Sequence, residues 1–139
     1  AQAVSLLGIP QSILETVRET NLGPLAVLIT VILIYLILGC FFDGLSLMIM
    51  TLPILLPLML GLGYDPIWLG VIVTIMIEIG QVTPPVGLNL SVLVSVTKEK
   101  VSLGETALAT MPYWLILLLG IGILTLAPEL ALFLPSSLM

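Results

Sequence analysis

Two adjacent prolines interrupt an otherwise continuous apolar run, and this interruption most limits what the chain can become. Residues 66–97 form about 32 nearly unbroken apolar residues, which as one straight helix would be about 48 Å long at ~1.5 Å per residue. A bilayer core is only about 30 Å thick. Pro84 and Pro85 have no backbone N–H, and their rings crowd the preceding turn. A helix entering from Pro66 is therefore expected to stop here, leaving the carbonyls of Gly80 and Gln81 without their usual donors. Val86-Gly87 lets the chain restart as a short half-helix from Leu88, whose first N–H groups have no intrahelical partner. One helix end offers carbonyl oxygens suited to a small cation, and the other offers N–H donors suited to an anion. Irregular backbone at membrane depth is tolerated where it is buried in protein or lines a cavity, and secondary transporters build their sites this way. The competing explanation is structural: prolines kink many transmembrane helices, and neighbouring hydroxyls repair the damage. Gly80, Thr83, Gly87 and Asn89 around the break, with Glu78 one turn away, favour a site.

Composition places the break in a membrane. The 139 residues are 60% hydrophobic and only 8% charged, whereas soluble domains carry about a quarter charged residues. The formal charge of −5 comes from acids scattered singly, with no basic patch for nucleic acid. Histidine is absent and Cys40 is the only cysteine, which excludes intrachain disulfides, zinc sites and His-based acid–base chemistry. Cys40 reads as a small packed hydrophobe. An intramembrane aspartyl enzyme would need two facing carboxylates sharing a proton. Asp43 and Glu78 sit in no such motif, so no enzyme activity is expected. The chain opens Ala1-Gln2-Ala3, without a secretory signal pattern, which suggests a piece whose earlier helices lie elsewhere.

Taken in order, residues 1–21 read as the end of an earlier helix followed, after Pro10, by an amphipathic surface segment. Residues 22–60 read as a helical hairpin with its tip near 43–46. Its second arm has about 16 residues, roughly 24 Å, which is short for a span. A re-entrant hairpin and a pair of full spans both remain open at this point. Residues 61–97 contain a turn, a cap at Asp65 and the broken helix, with the break at 83–87. Residues 98–111 read as a loop and a short helix opened by a capping box at Ser102 and Glu105. Residues 112–128 form the last span, and 129–139 a tail too short to cross again. Lys98 and Lys100 place the 98–105 loop in the cytoplasm and the C-terminus outside.

Four blocks in order carry a resemblance: Gly39-Cys40-Phe41-Phe42-Asp43; Pro53-Ile54-Leu55-Leu56-Pro57; Gly63-Tyr64-Asp65-Pro66 with Gly70; and Glu78-Ile79-Gly80-x-x-Thr83-Pro84-Pro85-Val86-Gly87-Leu88-Asn89. They resemble the large membrane subunit of tripartite ATP-independent periplasmic (TRAP) transporters, DctM-like proteins, over nearly the whole chain. The resemblance implies an all-α integral membrane, ion-transporter-like, inverted-repeat elevator fold. This chain would be the C-terminal repeat, with its re-entrant hairpin and broken transmembrane helix. It also implies sodium-coupled import of an organic acid, such as a C4-dicarboxylate or sialic acid, across the bacterial or archaeal cytoplasmic membrane. The implied partners are the N-terminal repeat of the same subunit, a small membrane subunit and a periplasmic substrate-binding protein. No cofactor is implied beyond Na⁺ as coupling ion. Carried over residue by residue, the sodium site falls at Gly39, Asp43, Gly80, Thr83 and Val86. Substrate contacts fall at Ser46, Gly87, Asn89 and Ser91, and Glu78 is a possible proton or ion carrier. Arg18, Lys98 and Lys100 all sit at expected surfaces, so a substrate carboxylate would be held by N–H groups and hydroxyls or by a basic group from the missing half. Proton coupling and a non-transporting structural bundle stand as alternatives.

Overall fold

A computed structural model describes residues 9–19, 22–97 and 101–138. All regular structure among the described residues is helical: α1 Ile9–Glu19, α2 Pro24–Gly39, α3 Gly44–Gly61, α4 Pro66–Gln81, α5 Leu88–Val96, α6 Leu103–Leu126 and α7 Glu129–Leu138. Two of them, α3 and α6, are long and apolar enough to cross a membrane. Lys98 and Lys100, on which the expected sidedness rests, lie outside the described residues, as do residues 1–8.

Several helix starts follow from local chemistry. Pro24 and Pro66 occupy first-turn positions, where a missing N–H does no harm. Asp65 caps α4, its Oδ1 accepting from the N–H groups of Ile67 at 2.8 Å and Trp68 at 3.1 Å. Asp43 caps α3 by accepting from Ser46 N at 3.0 Å. The capping box at α6 is complete: Glu105 N donates to Ser102 Oγ at 3.2 Å and Ser102 N to Glu105 Oε2 at 2.9 Å.

The short helix after residue 98 and the span from residue 112 are a single helix, α6, with Pro112 inside it. One proline removes one N–H and bends a helix, but a strong N-terminal cap and an apolar continuation keep it going. Likewise α3 runs unbroken through Pro53 and Pro57. The segment after Pro128 forms α7, which packs against α4 and α6.

Helix α4 is the hub of the fold. Trp68, Leu69, Ile72, Val73, Met76, Ile77, Ile79 and Gly80 are buried along it, a helical periodicity covering most of its circumference. It meets α2, α3, α5, α6 and α7. The two arms α2 and α3 contact α4 far more than each other. A cavity of about 500 Å³ opens between them, lined by groups such as Val31 and Tyr35 of α2 and Thr51, Leu55 and Leu58 of α3. The stripe of α4 left uncovered carries Gly70, Thr74 and Glu78.

Candidate functional site: the junction of hairpin tip and helix break

Helices α2 and α4 cross with their backbones in contact. A Cβ added to Gly80 would lie 2.6 Å from Gly39 Cα and 2.9 Å from Gly39 C, and one added to Gly39 would lie 2.9 Å from Gly80 Cα. Only glycine at both positions permits this approach. The crossing joins the C-terminal ends of two helices, so two negative dipole ends meet in an apolar setting. Like-signed ends brought together there favour a cation between or beside them.

Neighbouring residues tighten the junction. Cys40 is buried, and its thiol donates to Leu36 O at 3.1 Å with Pro84 O within reach at 3.4 Å. Gly44, the first residue of α3, lies against α4: a Cβ there would sit 2.4 Å from Gln81 Nε2 and 2.5 Å from Ile77 Cγ2. The hairpin tip therefore rests on the last turn of α4 through Gly39, Cys40 and Gly44.

At the break itself, α4 ends in a tight turn. Val82 N donates to Ile79 O at 3.2 Å and Thr83 N to Gly80 O at 3.3 Å. The Gly80 carbonyl, expected from the sequence to be free, thus has a donor, because the chain tightens to i→i+3 bonding after Gln81. Gln81 is different. Its carbonyl would draw local donors from residues 84 and 85, and both are proline. The hydroxyl of Thr110 on α6 donates to Ala107 O at 3.0 Å and reaches the carbonyl of Val82 only at 3.4 Å. Thr83 Oγ1 donates to Ile79 O. A hydroxyl whose proton is so committed presents only lone pairs elsewhere, which suits a cation ligand. The Pro84–Pro85 peptide bond is cis.

The chain restarts at Gly87, which is buried with φ +46° and has Thr83 O 3.0 Å from where a Cβ would be. Ser91 N bonds Gly87 O at 3.0 Å. Ser91 Oγ donates to Val86 O at 2.9 Å, so two residues expected in different sites are partners of one another.

Of the residues singled out in the sequence, Gly39 and Gly80 are brought together, and Thr83 lies half-buried in the turn directly after them. Asp43 is exposed at the tip with its carboxylate engaged by Ser46 N. Ser46 and Asn89 are exposed, Val86 is 36% exposed and Ser91 is half-buried. Glu78 lies on the exposed stripe of α4, while Ile79 and Gly80 beside it are buried. Gln81, Gly44 and Cys40 belong to the junction but were not picked out as site residues. A lone glutamine in an apolar run, three residues before a double proline, is the signal for Gln81.

Apolar helices gathered around a polar, glycine-crossed helix break are the arrangement from which membrane transporters build their sites. Comparison with known proteins agrees: the family model "Tripartite ATP-independent periplasmic transporter, DctM component" matches residues 1–130, and the chain belongs to this family. It is 42% identical over 128 residues to the C4-dicarboxylate TRAP transporter large permease protein DctM of Pseudomonas aeruginosa, covering 92% of this chain and 30% of that protein. It is 30% identical over 131 residues to the ectoine TRAP transporter large permease protein TeaC of Halomonas elongata, with 94% and 30% covered. The sialic acid TRAP transporter permease protein SiaT of Haemophilus influenzae is 32% identical over 116 residues, covering 84% of this chain and 18% of SiaT. The chain thus spans under a third of the length of these relatives.

Proposed function

We propose that this chain is the C-terminal part of a sodium-coupled permease subunit that imports organic acids. The observation that carries the proposal is the Gly39/Gly80 crossing, which brings two helix C-terminal ends together beside the Thr83-Pro84-Pro85 turn. In this reading the coupling ion is held by Gly39, Asp43, Gly80, Thr83 and Val86, and the donor-poor carbonyl of Gln81 joins that set. Na⁺ neutralises the meeting carbonyl ends, so the loaded junction crosses the bilayer at lower electrostatic cost than the unloaded one. The chain is one of two inverted repeats of an elevator domain, with α2 and α3 as a re-entrant hairpin and α4 and α5 as the broken helix. A substrate carboxylate is received near Ser46, Gly87, Asn89 and Ser91, where the N-termini of α3 and α5 present N–H groups.

The relatives' names support C4-dicarboxylates first, with sialic acid or a related solute such as ectoine as alternatives. A periplasmic binding protein delivers the solute, and a small membrane subunit supports the permease in the bacterial cytoplasmic membrane. The 98–105 loop is cytoplasmic and the C-terminus periplasmic. The rest of the large subunit covers the Gly70–Thr74–Glu78 stripe of α4, since a carboxylate on a transmembrane helix faces protein or water rather than lipid. That same exposed Glu78 favours proton coupling as the second reading.

The test is uptake of radiolabelled C4-dicarboxylates and sialic acid into proteoliposomes holding the complete subunit, its small partner and its binding protein. Uptake that needs an imposed sodium gradient and falls in Asp43→Ala and Thr83→Ala is expected. Uptake driven by a proton gradient and abolished in Glu78→Gln would transfer the coupling role to Glu78. Absence of uptake of any organic acid would favour a structural bundle.

A further inference from the structure

The arms α2 and α3 stand apart along the cavity between them, yet a polar bridge joins them. The hydroxyl of Tyr35 on α2 is hydrogen-bonded to Thr51 Oγ1 on α3, and Thr51 Oγ1 in turn donates to Leu47 O at 2.7 Å. With the Thr51 proton committed to Leu47, Tyr35 is the donor in the first bond. Leu47 N bonds Asp43 O at 3.0 Å. Tyr35 is thus tied through Thr51 to the backbone of the turn of α3 that follows the hairpin tip.

The position of the bridge is informative at both ends. Tyr35 is 2% exposed and sits one helical turn before Gly39, the residue in backbone contact with Gly80. Thr51 lies just before Pro53, which removes the N–H that Ile49 O would otherwise accept. The bridge thus ties α3 to α2 between the tip and the first of its two internal prolines. Burying a tyrosine hydroxyl among apolar groups such as Val31 and Leu55 is unfavourable unless it is bonded. For packing alone, phenylalanine would serve at position 35.

We propose that Tyr35 and Thr51 form a brace that fixes the spread of the hairpin arms and so positions the tip, at Asp43 and Gly44, on the α4 end. They are positioning residues: neither touches the junction, and they act through the angle at which α3 leaves the tip. The inference rests on the coupling-ion reading above for its transport consequence, but the brace itself is a property of the hairpin.

The test uses the complete large subunit in proteoliposomes and compares Tyr35→Phe, Thr51→Val, Thr51→Ser and the Tyr35→Phe/Thr51→Val double variant. Each of the first two is expected to raise the sodium concentration for half-maximal uptake about threefold to tenfold, the range of interhelical hydrogen bonds in membranes, with the maximal rate little changed. Thr51→Ser keeps the hydroxyl and stays near wild type. The double variant is no worse than either single one, because both remove the same bond. Wild-type sodium activation in Tyr35→Phe, or effects that multiply in the double variant, would overturn the brace. Should wild-type uptake prove independent of sodium, the ion assignment fails on its own, and a second readout decides the brace. Spin labels at exposed Leu45 and Leu119 are expected to report a broadened distance distribution in Tyr35→Phe and Thr51→Val but not in Thr51→Ser. Unchanged distributions in the first two would reject it.

Discussion

The two ends of α4 use the same device and finish differently. At its N-terminal end, the Trp68 indole donates to Leu124 O at 2.7 Å, a carbonyl whose i+4 donor is missing because residue 128 is proline. Tyr64 stacks on Trp68 with ring centroids 5.0 Å apart, and Asp65 caps the first turn. Each interruption there is answered by a side chain. At the C-terminal end, Thr83 N answers Gly80 O with a long bond, and the Thr110 hydroxyl, which bonds Ala107 O at 3.0 Å, reaches Val82 O only at 3.4 Å. The adjacent prolines remove both local donors of Gln81 at once, and a second helix end is pressed against the first through Gly39. A proline near a helix end is therefore no signal of a site by itself. What distinguishes the end proposed as the ion site is the polar backbone that neighbours do not fully satisfy.

The contrast is sharpest at Gly80. Gly80→Ala places a methyl group 2.6 Å from Gly39 Cα, and neither backbone can yield as a flexible side chain would. Overpacking of this kind costs about 1–3 kcal/mol or more, and loss of nearly all uptake is expected at normal membrane expression, measured in parallel by immunoblot. Near-normal uptake would show that the crossing is dispensable. At the other end, Trp68→Phe leaves the part-buried Leu124 O without its donor, and a stability loss of about 1 kcal/mol is expected in thermal unfolding of the complete subunit. Its sodium dependence should match wild type, and a shifted sodium dependence would erase the distinction between the ends.

Thr83→Ala removes a hydroxyl already bonded to its own helix. Stability should therefore change by under about 1 kcal/mol, while the sodium concentration for half-activation of uptake rises severalfold. Equal sodium activation would remove Thr83 from the site. The smallest effect is expected for Thr110→Val, which deletes a hydroxyl that bonds Ala107 O in its own helix at 3.0 Å and reaches Val82 O at 3.4 Å. A stability change of about 0.6 kcal/mol is the usual size for such a bond between membrane helices, and a larger one in chemical denaturation would mean that the repair of the break is tighter than its length suggests.

The break was legible in the sequence because two consecutive prolines leave the chain few local options, and Asp65 and Ser102 announced their caps by side-chain chemistry alone. The hub was not legible. α2, α3, α4 and α6 are all strongly apolar, and hydropathy in a membrane chain does not say which helix faces its neighbours. The Gly39/Gly80 crossing lies between residues far apart in sequence, so spacing could not reveal it; only the family resemblance put both in one site. The continuity of α6 through Pro112 was missed because propensity alone favours a stop there, whereas packing of Trp114 and Leu117 against the core carries the helix on. Ser91 and Val86 looked like ligands in a pattern of residue types, and only geometry pairs them with each other.

The most direct test of the central claim, that the glycine-crossed end of α4 holds the coupling cation, is calorimetric titration of Na⁺ into the purified complete subunit. Wild type, Thr83→Ala and Trp68→Phe are compared. Saturable sodium binding that weakens severalfold in Thr83→Ala and is unchanged in Trp68→Phe is the predicted result. Sodium binding that is identical in all three, or absent from the wild type, would contradict it.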